Sequence, residues 1–172
     1  AAAVVVLEAD PMASARRAKV YGTILGFGAT ADGHHISAPD PSRSAGVAAI
    51  RQCLTRSGIE QGAVDYIHAH GTSTELNDQN EAELIQRCFP HGPAVSSTKG
   101  ATGHTLGASG ALGAAFCLLA LRDRRLPPCV GLRSPAFDLN FVQDARQQES
   151  RHVLCFSFGF GGQNVVLAMG KF

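Results

Sequence analysis

The chain has 172 residues, 45% of them hydrophobic and 17% charged, with a formal net charge of +1. That length and apolar content suit about one domain, burying roughly 70% of its unfolded surface. Near-neutral charge without a basic run argues against a nucleic-acid or membrane-surface footprint. No apolar stretch reads as the ~18 residues of a membrane span.

In chain order, Val4 to Leu7 is a continuous β-branched run that reads as a strand buried on both faces, not as a signal peptide. The wider apolar run is Ala1 to Leu7, and the chain opens within it without a methionine, which fits a start within a longer product, after a cleavage, or at a trimmed expression boundary. Ser14 to Ala18 suits a short helix, and Lys19 to Ala31 a long strand in which Gly26 and Gly28 allow bends or close contacts. A Pro-punctuated loop over 33–42 precedes a helix from Ser44 to Ser57, with Gly58 placed to end it. Val64 to Ala69 reads as a strand. A helix capped by Asn77 or Asp78 runs to Cys88, and Ala94 to Ser96 is a further strand. Gly107 to Arg122 is a strongly apolar helix, expected to be the central buried one. Pro127 and Pro128 open a loop to about Gln148, and His152–Ser157 and Asn164–Met169 form two adjacent strands. Strands alternating with helices predict an α/β layered domain.

The five cysteines, Cys53, Cys88, Cys117, Cys129 and Cys155, are odd in number and widely spaced, with no CxxC. This favours reduced thiols and a cytoplasmic setting over a disulfide framework. Cys155 lies in an apolar strand, where a thiolate is disfavoured, so it is not read as a nucleophile.

Three segments carry chemistry. His70-Gly71-Thr72-Ser73-Thr74 follows a strand directly. Ser97-Thr98-Lys99-Gly100-Ala101-Thr102-Gly103-His104 places a lysine and a histidine among small residues. Ser157-Phe158-Gly159-Phe160-Gly161-Gly162-Gln163-Asn164 is a glycine-rich aromatic loop. Two imidazole donors and one ammonium group suit a carbonyl on which negative charge develops. Taken singly, each has a plainer reading. A strand-end histidine is ordinarily satisfied by a backbone carbonyl, a lysine by water, and GFGG by a tight hairpin.

As an ordered set, the three segments resemble the C-terminal half of a β-ketoacyl synthase, a condensing enzyme of fatty-acid and polyketide assembly. The likeness extends over the whole chain, 1–172, as that family's C-terminal domain. It implies the C-terminal half of the thiolase-like fold, an αβαβα layered architecture, here with a mixed five-stranded sheet. It implies an acyltransferase part that catalyses decarboxylative Claisen condensation of malonyl-acyl-carrier protein with an acyl thioester. On that resemblance His70 and His104 are the catalytic imidazoles and Lys99 organises the site. Phe160 gives an oxyanion-hole N–H, in a gating loop with Phe158, Gly159 and Gly161, and Thr72 and Thr74 contact the phosphopantetheine arm. No cofactor or catalytic metal is implied beyond the carrier's phosphopantetheine. The implied partners are acyl-carrier protein, an N-terminal half bearing the nucleophilic cysteine, and a second subunit in a homo- or heterodimer, with no nucleic acid and no membrane.

The chain departs from the family pattern at three places. Gly113 stands where fatty-acid-type synthases often carry a glutamate near the lysine, Gln163 replaces a threonine, and His68 precedes Ala69-His70. His68-x-His70 raises a metal site, although no third ligand is recognisable. Gly26-Phe27-Gly28-Ala29-Thr30-Ala31 fits a relaxed GxGxxA, but no helix follows to bind a pyrophosphate. A rival reading is a non-catalytic partner subunit of the chain-length-factor kind, which Gly113 favours and the retained His70, Lys99 and His104 disfavour. An inactive fragment is a third.

Overall fold

A computed structural model describes residues 1–172. Five helices, α1 (Asp10–Ala15), α2 (Ser44–Ser57), α3 (Glu75–Cys88), α4 (Lys99–Thr102) and α5 (Ser109–Asp123), accompany eight strands. The strands are β1 (Thr23–Ala31), β2 (Tyr66–His68), β3 (Ala94–Ser96), β4 (Arg125–Leu126), β5 (Asn140–Phe141), β6 (Arg146–Gln147), β7 (His152–Gly159) and β8 (Gln163–Gly170). The main sheet has six strands in the order β1-β8-β7-β2-β3-β5, and β4 pairs with β6 in a small ribbon. β1, β8 and β7 run antiparallel, whereas β7, β2, β3 and β5 are parallel. The α/β class and the mixed sheet hold. The expected count of five strands does not, and the sixth, β5, is a two-residue edge strand inside the segment read as loop. So short a pairing leaves no alternation for a sequence to display.

The pleat splits the core into two layers. Ile67 of β2 and Leu154 and Phe156 of β7 face α2 and α3, where they meet Ala49, Ile50, Leu84 and Ile85. Tyr66 of β2 and Val153 and Cys155 of β7 face the other way, toward Ala114, Cys117 and Leu121 of α5. Side chains of successive strand residues point to opposite faces, so one strand serves both layers. α2 seats closely on β1: a Cβ on Gly28 would lie inside the shell of the Ala49 carbonyl and 2.9 Å from the Cys53 amide nitrogen.

Val4–Leu7 forms no strand and is exposed, with Val4 87% and Val6 85% accessible. Its β-branched run signals burial, but neither edge of this sheet pairs with it. α1 lies four residues earlier than expected, set by Asp10 in its first turn and Pro11 at its start. β1 begins at Thr23 rather than Lys19, and α3 begins at Glu75, so Thr74 and not Asn77 or Asp78 is its N-cap. α5 is buried along one face only, through Gly113, Ala114, Cys117, Ala120 and Leu121, with Leu119 exposed. Together with the turn before it, Leu106–Asp123 is 18 residues long and apolar enough by composition to span a membrane, but its buried face is packed on the sheet.

Candidate active site

β2 ends at His68, and the chain then turns sharply, with Gly71 at φ 48° and Ser73 at φ 63°. Gly71 is required twice over: its φ is left-handed, and a Cβ there would lie 2.6 Å from Ser97 Cβ. His70 sits in this turn, 7% exposed. Its backbone N–H donates to Glu81 Oε1 (2.6 Å) and that of Gly71 to Glu81 Oε2 (2.8 Å), while Asn77 Nδ2 adds 3.3 Å to the same Oε2. Glu81 is 3% exposed on the inner face of α3, so it clamps the turn from behind. Burial pushes its pKa up, and the N–H groups of Gly71 and His70 oppose that.

α4 carries Lys99, whose ammonium donates to the His70 carbonyl. Burial lowers the Lys99 pKa, and the Glu81 charge works against the shift. Gly103 (φ 70°) then turns the chain so that His104 comes beside His70, ring centroids 5.5 Å apart and nearly perpendicular at 83°. His104 Nδ1 accepts the Leu106 N–H at 3.1 Å, and the Ser109 hydroxyl lies 3.1 Å from the same nitrogen. A backbone amide can only donate, so Nδ1 carries no proton and the neutral ring bears its proton on Nε2. Burial, then Lys99, lowers the His104 pKa. His70 is held down to about 3, by burial first and then by Lys99, His104 and His68. Both rings are therefore neutral N–H donors near pH 7.

The glycine-rich loop joins β7 to β8. Phe158 reaches His70 with ring centroids 5.9 Å apart. Phe160 stands at the tip, its ring 81% exposed, and its N–H has no partner among the loop hydrogen bonds. The neighbouring Gly161 N–H is taken by the Ile36 carbonyl at 2.7 Å. Asn164 fixes the loop's base through Asp32 Oδ1 (2.7 Å) and the Gly162 carbonyl (3.0 Å). Thr72 and Thr74 share a hydroxyl contact of 2.9 Å at the outer rim of the turn.

The three segments therefore converge, with His70, Lys99, His104 and Phe158 in one cluster. The Phe160 ring stands apart. The His68-x-His70 pair diverges, because His68 Nε2 turns to the Thr98 hydroxyl (3.1 Å) and its ring stacks on Phe116 (6.2 Å between centroids). No three His, Cys, Asp or Glu side chains are grouped to hold a metal. Sequence reading missed Glu81. Its signal was present, since it falls three and four residues before Leu84 and Ile85 on the apolar face of α3. It also missed that Cys155 has polar neighbours: its thiol is pulled below the ordinary value, mainly by the Cys117 thiol and then by His68 and Lys99, against burial.

Residues 21–133 match the family model described as β-ketoacyl synthase, C-terminal domain. A 3-oxoacyl-[acyl-carrier-protein] synthase 2 of Coxiella burnetii is 42% identical over 99% of this chain and 42% of its own length. The chain thus spans less than half of the curated relatives it matches. Among solved structures, the ishigamide ketosynthase/chain length factor superposes with a TM-score of 0.91 at 35% identity, over 96% of this chain and 41% of that one. A ketosynthase in complex with its chain length factor, from Xenorhabdus doucetiae, gives a TM-score of 0.83 at 37% identity, over 91% and 40%.

Proposed function

The chain belongs to the β-ketoacyl synthase family, and from that premise we propose that it is the C-terminal domain, over 1–172, of a condensing acyltransferase acting on carrier-bound thioesters. The observation that carries this reading is the pairing of two neutral imidazoles, His70 and His104, 5.5 Å apart beside the half-buried Lys99. In the proposed reaction a malonyl thioester on acyl-carrier protein loses CO2. The electron pair of the broken C–C bond passes into an enolate, whose oxygen accepts hydrogen bonds from the two rings. The enolate carbon then attacks an acyl thioester held on a cysteine of the N-terminal half, and that cysteine sulfur leaves.

A neutral donor suits the enolate step, because it stabilises developing charge without first binding it as a counter-ion. Lys99 fixes the His70 turn and, after burial, helps to keep that ring uncharged. The unpartnered Phe160 N–H is available to the oxyanion formed on attack. Thr72 and Thr74 offer hydroxyls to the amides of the phosphopantetheine arm. The reaction calls for no cofactor beyond that arm and no metal. The proposed partners are acyl-carrier protein, the N-terminal half and a second ketosynthase-type subunit, in the cytoplasm.

A second reading is a chain-length-factor subunit. Gly113 favours it, and so do the chain-length-factor complexes among the structural neighbours. The intact mass of the assembled protein after incubation with an acyl-carrier thioester separates the two. One acyl mass gained on the polypeptide that carries the N-terminal half, with condensation lost on His70→Ala, is the expected result. An unmodified companion favours the second reading, and wild-type turnover in His70→Ala overturns the assignment.

A further inference from the structure

His104 is the exposed member of the imidazole pair, and it stands between Gly103 and a single turn, Leu106–Ala108, that leads into α5. Its Nδ1 has two neighbours, the Leu106 N–H at 3.1 Å and the Ser109 hydroxyl at 3.1 Å. The Ser109 oxygen is in turn 3.1 Å from the Thr105 hydroxyl. Thr105 and Ser109 bracket the turn and are both partly buried, where the ring is not. Leu106 adopts φ 51°, left-handed backbone that a leucine takes only where its surroundings impose it, and its N–H is then bonded back to the ring.

The two donors differ in kind. The amide N–H is fixed by the backbone, whereas a hydroxyl rotates to donate or to accept. An unprotonated Nδ1 offers one lone pair in the ring plane, which the amide and the hydroxyl share as a three-centre contact. The amide alone is enough to set the tautomer. The hydroxyl is an addition, and it has a partner of its own in Thr105.

We propose that Ser109, supported by Thr105, is a positioning residue for His104: the Thr105 O–H donates to Ser109 Oγ, and the Ser109 O–H donates to His104 Nδ1. This ties an exposed ring to the first residue of α5, the helix whose other face is packed on the sheet through Ala114, Cys117 and Leu121. The ring plane is thereby held nearly perpendicular to that of His70, at 83°. Each bond that Nδ1 accepts also draws electron density from the ring, so the remaining Nε2–H becomes a stronger donor, by the polarisation that strengthens any chain of hydrogen bonds. The titratable groups that face the ring are Lys99 of α4 and the His70 imidazole after β2, and neither bonds to Nδ1. The hydroxyl pair is therefore the part of the ring's surroundings that a side-chain substitution removes without changing a charge.

The catalytic part of this inference rests on the condensing function proposed above, whereas the contact to Nδ1 does not, and two measurements keep them apart. In the assembled protein with isotope-labelled histidine, nitrogen NMR follows the His104 Nδ1 resonance, identified by its loss in His104→Ala. Ser109→Ala is expected to move it downfield, as for an acceptor with fewer donors, and to raise the pH at which the ring titrates, because a bond to the neutral form is lost. Ser109→Thr keeps the hydroxyl and is expected to hold both near wild type. Thr105→Val keeps the shape, deletes the supporting hydroxyl, and is expected to give a smaller shift in the same direction. An unmoved resonance in Ser109→Ala overturns the contact, even where its melting temperature falls, since a role only in starting α5 gives that result. A Ser109→Thr resonance that matches Ser109→Ala overturns it as well, and an unmoved one in Thr105→Val overturns the support from Thr105. In condensation assays Ser109→Ala is expected to lower kcat roughly 5-fold, the worth of one neutral hydrogen bond, with KM little changed. Wild-type kcat in that variant overturns the positioning role. Wild-type protein that forms no condensation product counts against the functional reading alone, and the resonance then decides the contact.

Discussion

Lys99 and His70 are joined through the backbone: the lysine ammonium donates to the His70 carbonyl and so stands beside the imidazole without pairing with it. The cation opposes protonation of the ring and is second only to burial in holding the His70 pKa at about 3. Lys99→Met removes that repulsion, so the His70 pKa rises toward its ordinary value. The expected result is an upward shift of the His70 C2–H titration by NMR, with the acid limb of condensation moving the same way. An unmoved titration would mean that burial alone sets the ring's state.

The same shift makes stability depend on pH. Unfolded, His70 takes a proton near its ordinary value of 6.5, and folded only near 3. Between those values the unfolded state binds more protons, so this contribution to stability falls as pH drops through the window and levels off below it. Urea unfolding of the assembled protein at stepped pH is expected to show a shallower acid loss for His70→Asn than for wild type. Parallel slopes would assign the acid loss to other groups.

Glu81 offers a structural test of the turn. It accepts the N–H groups of His70 and Gly71, and both donors face the protein interior. Glu81→Ala orphans them, at an expected cost of roughly 2–4 kcal/mol in unfolding free energy. Glu81→Gln keeps one acceptor and is expected to cost about half of that, with the remaining loss from an amide facing an N–H donor. Equal stability of all three proteins in urea would show that water replaces the clamp.

The sequence carried those elements whose signals are local. α2 falls on Ser44–Ser57 as read, ended by Gly58 in the left-handed conformation, and β3 falls on Ala94–Ser96. The candidate cluster was legible because HGTST, the Lys99–His104 segment and FGFGG each sit at a strand end or helix start. What was not legible depends on partners distant in sequence. Val4–Leu7 has strand chemistry but no neighbouring strand. The Glu81 clamp closes across 11 residues and the Lys99–His70 bond across 29. The Cys155 environment required knowing that the side chain missing at Gly113 leaves room for His68, which no reading of an apolar strand contains.

Two glycines separate steric from conformational demand. At Gly28 φ is ordinary for a strand, but a Cβ would collide with the Ala49 carbonyl and crowd the Cys53 amide, both backbone atoms that cannot swing aside. At Gly58 nothing lies within 4 Å of a Cβ, but φ is 62°. Gly28→Ala must therefore push α2 off β1, which is expected to cost about 3 kcal/mol or more. Gly58→Ala pays only the left-handed strain, about 1–2 kcal/mol, and Gly58→Asn is expected to recover part of it. Chemical denaturation of the three variants measures the contrast. Equal losses for Gly28→Ala and Gly58→Ala would mean that the helix slides on the sheet rather than being seated by the missing side chain.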